Sequence, residues 1–388
     1  MPTDNEIRDP TVRTLYEVDT YRAIAETHVR PWHKNIKRWR QWYDFQHYQK
    51  KALPYEERYP DPTPTNVVDL AVGIIQANEM KWSAKGWDPS PQEQHESSGV
   101  EKFLSGVIYI NNERNEYHIP YEAIFHFVRD GAAVIYSVWD GELADELKHT
   151  SQNEEGKMVP IFNEVPLTTD IIDPLQIFLV PGGPKRWSHV IREWEMSVWD
   201  VEQQWDVVLP SYNMISDTQK MQSKIKVQDF WQIKKIKEGG TRRTIVEQAL
   251  VADGHVIFPL REMEGYDDIP YSIGFFKPID RSDSAGWHGI IRPIESTMTF
   301  LEKAVNRRGR QIFVYSSLPF VARTIPNRKI SLDPAIGNFV RLDLNESLEF
   351  PTWPGNPPDV EEHIGFMRAR LQQAGFADVM FGAGQSQV

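Results

Sequence analysis

The 388 residues suffice for two or three domains at about 150 residues each, and the 40% hydrophobic and 25% charged content is that of a folded protein. A net charge of −12 argues against a globally basic nucleic-acid binder, and the lack of cysteine excludes disulfides, thiolate metal sites and a cysteine nucleophile. No apolar run reaches the roughly 18 residues of a membrane span, and the acidic, polar start MPTDNEIRDP does not read as a signal peptide.

Residues 1–29 read as a polar arm entering a helix. Pro31 suits the first turn of a helix, and Trp32, Ile36, Trp39 and Tyr43 follow at helical spacing. Residues 30–51 hold seven Lys/Arg against one Asp. This stretch is a solvated helix face, a dock for an acidic neighbouring subunit, or a contact to nucleic-acid phosphates. The proline-rich 54–65 reads as a connector, and 66–80 as a buried helix.

Residues 88–98 are expected to form a loop, with helices at 99–113 and 119–130. Gly131 is placed to cap the second, and AAVIYSVW after it has strand composition. The acidic 141–160 reads as loop. A strand-rich stretch runs from 171 to 194 with a Pro-Gly-Gly-Pro turn, helices follow at 197–207 and 213–224, and 227–258 holds two or three strands. Gly239-Gly240 and Asp253-Gly254 have hairpin chemistry.

From Gly289 a long helix is predicted, with Ile290, Ile294, Met298, Leu301, Val305 and Ile312 along one stripe. A proline-rich, β-like stretch (316–358) follows, and then a second helix whose stripe is Val360, Ile364, Met367, Leu371 and Ala374. The fold class expected is α+β.

Enzyme signatures are absent from the sequence: there is no P-loop, GxGxxG, HExxH, GxSxG or SxxK. Glu122 and His126 lie one helical turn apart, but two ligands do not make a metal site. Glu361, Glu362 and His363 suit a helix start. The 13 Trp and 14 Tyr raise a carbohydrate-active, glycoside hydrolase reading, which needs exposed aromatic platforms and two placed carboxylates. Charge is segregated late in the chain. Between 301 and 329, Lys303, Arg307, Arg308, Arg310, Arg323, Arg328 and Lys329 oppose only Glu302, whereas 342–362 carries Asp343, Glu346, Glu349, Asp359, Glu361 and Glu362 and no Lys or Arg. Such halves pair within one chain or between neighbours in a ring.

The order of these segments resembles the portal, or head-tail connector, protein of tailed double-stranded DNA bacteriophages. The stretches that carry it are YEAIFHFVRDGAAVIYSVWDG (121–141), DPLQIFLVPGGPKRWSHVIREWEMSVWDV (173–201) with QDFWQIKKI and ADGHVIFPL after it, and GYDDIPYSIGFFKPIDRSDSAGWHGIIRPIESTMTFLEKAVNRRGR (265–310). FADVMFGAGQSQV (376–388) is similar to the segment entering a portal tunnel loop.

The resemblance implies an N-terminal helical arm (1–63), a mixed α/β wing (64–287), a first stem helix (288–315), a β-rich clip (316–358), a second stem helix (359–375) and the start of a tunnel loop (376–388). Portals continue into a crown; this chain stops at Val388, so either the crown is absent or the sequence is a fragment. It further implies a non-enzymatic, cofactor-free and metal-free ring, typically dodecameric, at one capsid vertex of the virion, assembled in the host cytoplasm. Its partners would be the large terminase, a head-tail adaptor, major capsid and scaffolding proteins, and double-stranded DNA passing during packaging and ejection, with no membrane involved. Arg307, Arg308, Arg310, Gly382 and Gly384 are the DNA-channel candidates. Arg323, Arg328, Lys329, Asp343, Glu346 and Glu349 are the clip and subunit-interface candidates. A different ring-forming virion adaptor is the remaining alternative beside the glycoside hydrolase.

Overall fold

The computed structural model describes residues 9–46, 62–77, 91–139, 148–152, 158–162, 166–183, 186–238, 241–276, 287–316, 321–323, 347–349, 364–366 and 369. The chain is mixed α+β and divides into two compact units, Met1–Arg40 with Val68–Gly289 and Gln41–Val67 with Ile290–Val388.

Helix α1 runs from Pro10 to Tyr43 and passes through Pro31 without ending. The expected helix start at Pro31 is thus corrected. Proline inside a helix costs about 3 kcal/mol or more. Here an unbroken apolar stripe outweighs it: Val18, Ala25, Val29, Trp32, Ile36 and Trp39 are all buried. Helix α2 (Thr63–Ala77) buries Val67, Val68, Ala71 and Val72, in line with the buried helix expected there.

Helix α3 (Pro91–Asn115) begins inside the expected loop at 88–98 and corrects it. Its first residues, PQEQHE, set a proline and carboxylates where a helix start favours them. Helix α4 (Ile119–Asp130) matches its expected bounds. The His118 ring accepts from the Tyr121 N–H at 3.2 Å, and Gly131 closes the helix at φ 84°.

Strand β1 (Ala132–Trp139) follows at once and pairs antiparallel with β4 (Leu167–Ile172) and β10 (Tyr271–Phe275). The expected loop at 141–160 contains a short antiparallel ribbon, β2 (Lys148–Gln152) with β3 (Met158–Phe162). Its polar composition concealed strands that satisfy each other's backbone groups.

A five-stranded meander is the largest sheet: β5 (Ile177–Gly183), β6 (Arg186–Ser197), β7 (Lys224–Glu238), β8 (Thr241–Ala252) and β9 (His255–Glu262), in sequential order. The Asp253-Gly254 turn has φ 46° and 76°, the left-handed pair that a tight hairpin requires. Between β6 and β7 sit helices α5 (Val198–Trp205) and α6 (Asp217–Gln222). The second is shorter than the 213–224 expected. Ser216 and Gln219 form a capping box that fixes its start.

Both faces of β7 are covered, which explains its run of buried residues Val227 and Asp229 to Gln232. Phe230 and Gln232 face α1: Tyr21 lies 6.1 Å from the Phe230 ring, and Glu17 accepts from Gln232 at 2.9 Å. Asp229 and Trp231 face the other way, toward Tyr271 of β10 and Tyr266.

In the second unit, helix α7 (Ile291–Ser316) buries Ile294, Met298 and Leu301 of the expected stripe, and also Ile291, which that stripe did not include. Strands β11 (Val321–Arg323) and β12 (Ser347–Glu349) then pair antiparallel.

Candidate interaction surfaces

Arg307, Arg308 and Arg310 all lie on α7. Continuing the 3.6-residue repeat from Ile294, Met298 and Leu301 places position 308 on the buried line and positions 307 and 310 on the far side of the helix. One face therefore does not hold all three. Arg323 and Glu349 sit in the β11/β12 pair, where Arg323 is opposite Ser347 and Glu349 opposite Val321. The two are diagonal neighbours on one face, a spacing of about 7–8 Å at the backbone. Arg328, Lys329, Asp343, Glu346, Gly382 and Gly384 lie outside the described residues, as do Glu361, Glu362, His363 and most of the expected second stem helix.

His126 has a different partner from the one its spacing to Glu122 suggests. Its Nδ1 lies 2.7 Å from the Asp130 carboxylate. Asp130 is fully buried and also accepts from Arg129 (2.9 and 3.0 Å) and from Arg40 (3.2 and 2.7 Å). Arg40 bridges onward to Asp173 with two contacts of 2.7 Å, and Asp173 caps the turn at Pro174–Gln176. Burial alone would raise the Asp130 and Asp173 carboxyls, but their hydrogen-bonded cations hold both below the ordinary range. The node joins α1, α4 and the entry to β5. Each side chain in it is tied to another by ion pair or hydrogen bond, an arrangement that suits structure more than chemistry. No cluster of three or more metal-ligating side chains occurs among the described residues.

A second buried carboxylate, Asp229, has no cation in hydrogen-bond contact. It accepts from Trp231 Nε1 (2.7 Å), the Tyr271 hydroxyl (2.8 Å) and Gln248 Nε2 (2.9 Å). Burial dominates over these donors and raises its pKa. On the α1 side of the sheet, Glu17 and Glu247 share Gln232 and Lys234. His189 stacks on Tyr21 at 3.6 Å, and burial lowers its pKa to about 4.

None of these nodes was predicted from sequence. Their members lie up to two hundred positions apart, and a single Asp in a strand carries no local mark of its partners. What the spacing did predict is the stripe of α1 through Trp32, Ile36, Trp39 and Tyr43, of which the first three are buried. Trp32 meets Trp287 edge-on at 5.1 Å, and Trp287 stacks on Phe275 at 3.8 Å. These tryptophans build core, and Trp32 is not available as a stacking platform.

The outer side of the last half of α1 is cationic. Arg30, Lys34, Lys37 and Arg38 are exposed at steps of four, three and one residues. Exposed apolar side chains collect elsewhere, at Val208, Met214 and Met221 around α5 and α6 and at Val100, Phe103 and Tyr109 on α3.

No protein-family model matches this chain, and no curated protein matches it.

Proposed function

We propose that this chain is a portal-type subunit: a non-enzymatic component of a ring at one vertex of a phage capsid, through which double-stranded DNA is packaged and ejected. The observation that carries the reading is the order of elements in the second unit. The 26-residue helix α7, about 39 Å long at 1.5 Å per residue, is followed at Val321 by β11, whose antiparallel partner β12 comes at Ser347, and later by helical residues 364–366. A long helix, a small β pair and then further helical residues follow the order expected of a stem that ends in a docking tip. The succession of α4, the Gly131 cap and β1, and the antiparallel meander after it, accord with a wing.

In this reading the ring docks the terminase motor and later the head-tail adaptor through the tip, and capsid and scaffolding proteins through the wing. ATP hydrolysis resides in the motor. The test is particle mass by light scattering after size exclusion, with negative-stain images of the same peak. Rings with a central hole are expected. A monomer, both for this chain and for a version extended at its C-terminus, overturns the reading.

A further inference from the structure

The geometry points to the outer face of α1 as a docking surface for the phosphate backbone of duplex DNA. Along the last half of α1 the buried line is Val29, Trp32, Ile36 and Trp39. The opposite side presents Arg30, Lys34, Lys37 and Arg38, all exposed, and the helix has no acidic residue from position 30 to its end at Tyr43. Arg40, the other cation there, is turned inward and neutralised by Asp130 and Asp173. Arg30, Lys34 and Lys37 make no ion pair among the described residues.

Nine residues of helix, from 30 to 38, set these cations along about 12 Å of a rigid rod. Phosphates of one DNA strand recur about every 3.4 Å along the axis, so the stripe matches roughly three or four of them.

The composition of this face selects the duplex over other anionic partners. A protein partner is anchored by buried aromatic or apolar side chains at the centre of its interface. The tryptophans interleaved with the cations, Trp32 and Trp39, are instead fully buried. Single-stranded nucleic acid would need exposed aromatics for its bases to stack on, and the same burial removes them. A row of cations without an apolar anchor is the footprint of sequence-independent phosphate binding. Within a chain of net charge −12 such binding is local, and it weakens as salt screens it. The inference stands apart from ring formation, because one stripe lies within one chain.

The experiment is fluorescence anisotropy with a labelled duplex of about 30 base pairs, titrated with the full chain between 50 and 200 mM salt. Three phosphate contacts, from Arg30, Lys34 and Lys37, give a slope of about −2.7 in log K against log salt, or roughly a fortyfold loss across that range. The triple variant Arg30→Gln/Lys34→Gln/Lys37→Gln is expected to make the slope shallower by about 2.7. A control, Lys224→Gln/Lys235→Gln/Arg261→Gln, removes the same charge from exposed positions on the meander and is expected to keep the wild-type slope. Absence of duplex binding at the lowest salt, or equal slopes for the two triple variants, overturns the proposal. Stripe-dependent binding of a labelled polyglutamate as tight as that of the duplex also overturns it, by assigning the stripe to an acidic protein.

Discussion

Gly131 and Gly289 bring two backbones into contact at the end of α4. A Cβ on Gly131 would stand 2.7 Å from the Gly289 nitrogen and 2.5 Å from the His288 carbonyl carbon, and one on Gly289 would stand 2.3 Å from the carbonyl oxygens of both Val128 and Arg129. The segment that leads toward α7 is thereby laid directly across the helix cap. The atoms in the way are backbone, so no side-chain rotation relieves the clash.

Gly289→Ala is accordingly expected to destabilise the fold by about 3 kcal/mol or more, the range of overpacking and strain combined. Gly254 provides the contrast. Its φ is 76°, but nothing lies within 4 Å of a Cβ there. Gly254→Ala is expected to cost only the left-handed backbone penalty, about 1–2 kcal/mol. Thermal unfolding followed by circular dichroism measures both. Equal shifts for the two variants would refute the crossing.

Two histidines set the expected response to mild acid. Burial lowers His33 and His189 to about 4, from 6.5 for an exposed imidazole. Between those values the unfolded chain binds protons that the folded chain refuses, so stability falls as pH is lowered through this window. Each group contributes at most about 1.4 kcal/mol per pH unit. The depressed carboxyls of Asp130 and Asp173 act at lower pH: their stabilisation is present above the ordinary carboxylate range and is lost as acid protonates them. Urea midpoints at pH 7 and pH 5 are therefore expected to differ in the wild type. The double variant His33→Gln/His189→Gln is expected to narrow the gap. An unchanged gap would assign the acid response to other groups.

Asp229 titrates in the opposite sense. Burial raises its carboxyl, so the fold favours the protonated form, and its contribution is lost as pH rises through the folded pKa. An asparagine at 229 can still accept from Trp231 and Tyr271, and the Gln248 amide can flip to meet its new donor. Asp229→Asn is thus expected to gain stability on the wild type as pH rises from about 4 to 7. A variant that loses ground over that range would mean that the ionised carboxylate is what these three donors stabilise.

What was legible in the sequence followed the local rules. The α4 helix, its Gly131 cap and β1 were readable because apolar period, glycine and β-branched run succeed one another without a gap. The meander was readable from Asp253-Gly254 and the alternating strands around it. Pro31 misled because its penalty is local, whereas the stripe that outweighs it spans Val18 to Trp39. The ribbon at β2 and β3 escaped notice because acidic residues precede it, β2 is polar and Pro160 interrupts the apolar run of β3. The Gly131–Gly289 crossing and the Asp130 and Asp229 nodes are products of tertiary pairing, which no window of neighbouring residues encodes. The cations of α1 were visible as composition. Only the folded helix separates Arg40, turned in to Asp130, from the four that face out.

The arginines of α7 were grouped from sequence as one set, and the helix divides them. Met298 and Leu301 are completely buried, and position 308 continues their line, while 307 and 310 lie away from it. Within the portal reading, position 308, on the line of Met298 and Leu301, is expected to serve packing of the stem, and positions 307 and 310 to serve DNA. Arg308→Gln is then expected to lower the yield or thermal stability of the ring. Arg307→Gln/Arg310→Gln is expected to leave ring mass intact and to change the rate of DNA packaging in a reconstituted motor assay. Sliding DNA tolerates few phosphate contacts, since each adds salt-dependent affinity and so friction. Removing two per subunit is therefore expected to alter translocation more at low salt than at high salt. A double variant with wild-type packaging at every salt concentration would take Arg307 and Arg310 out of the channel, and a ring lost on their removal would make them subunit contacts instead.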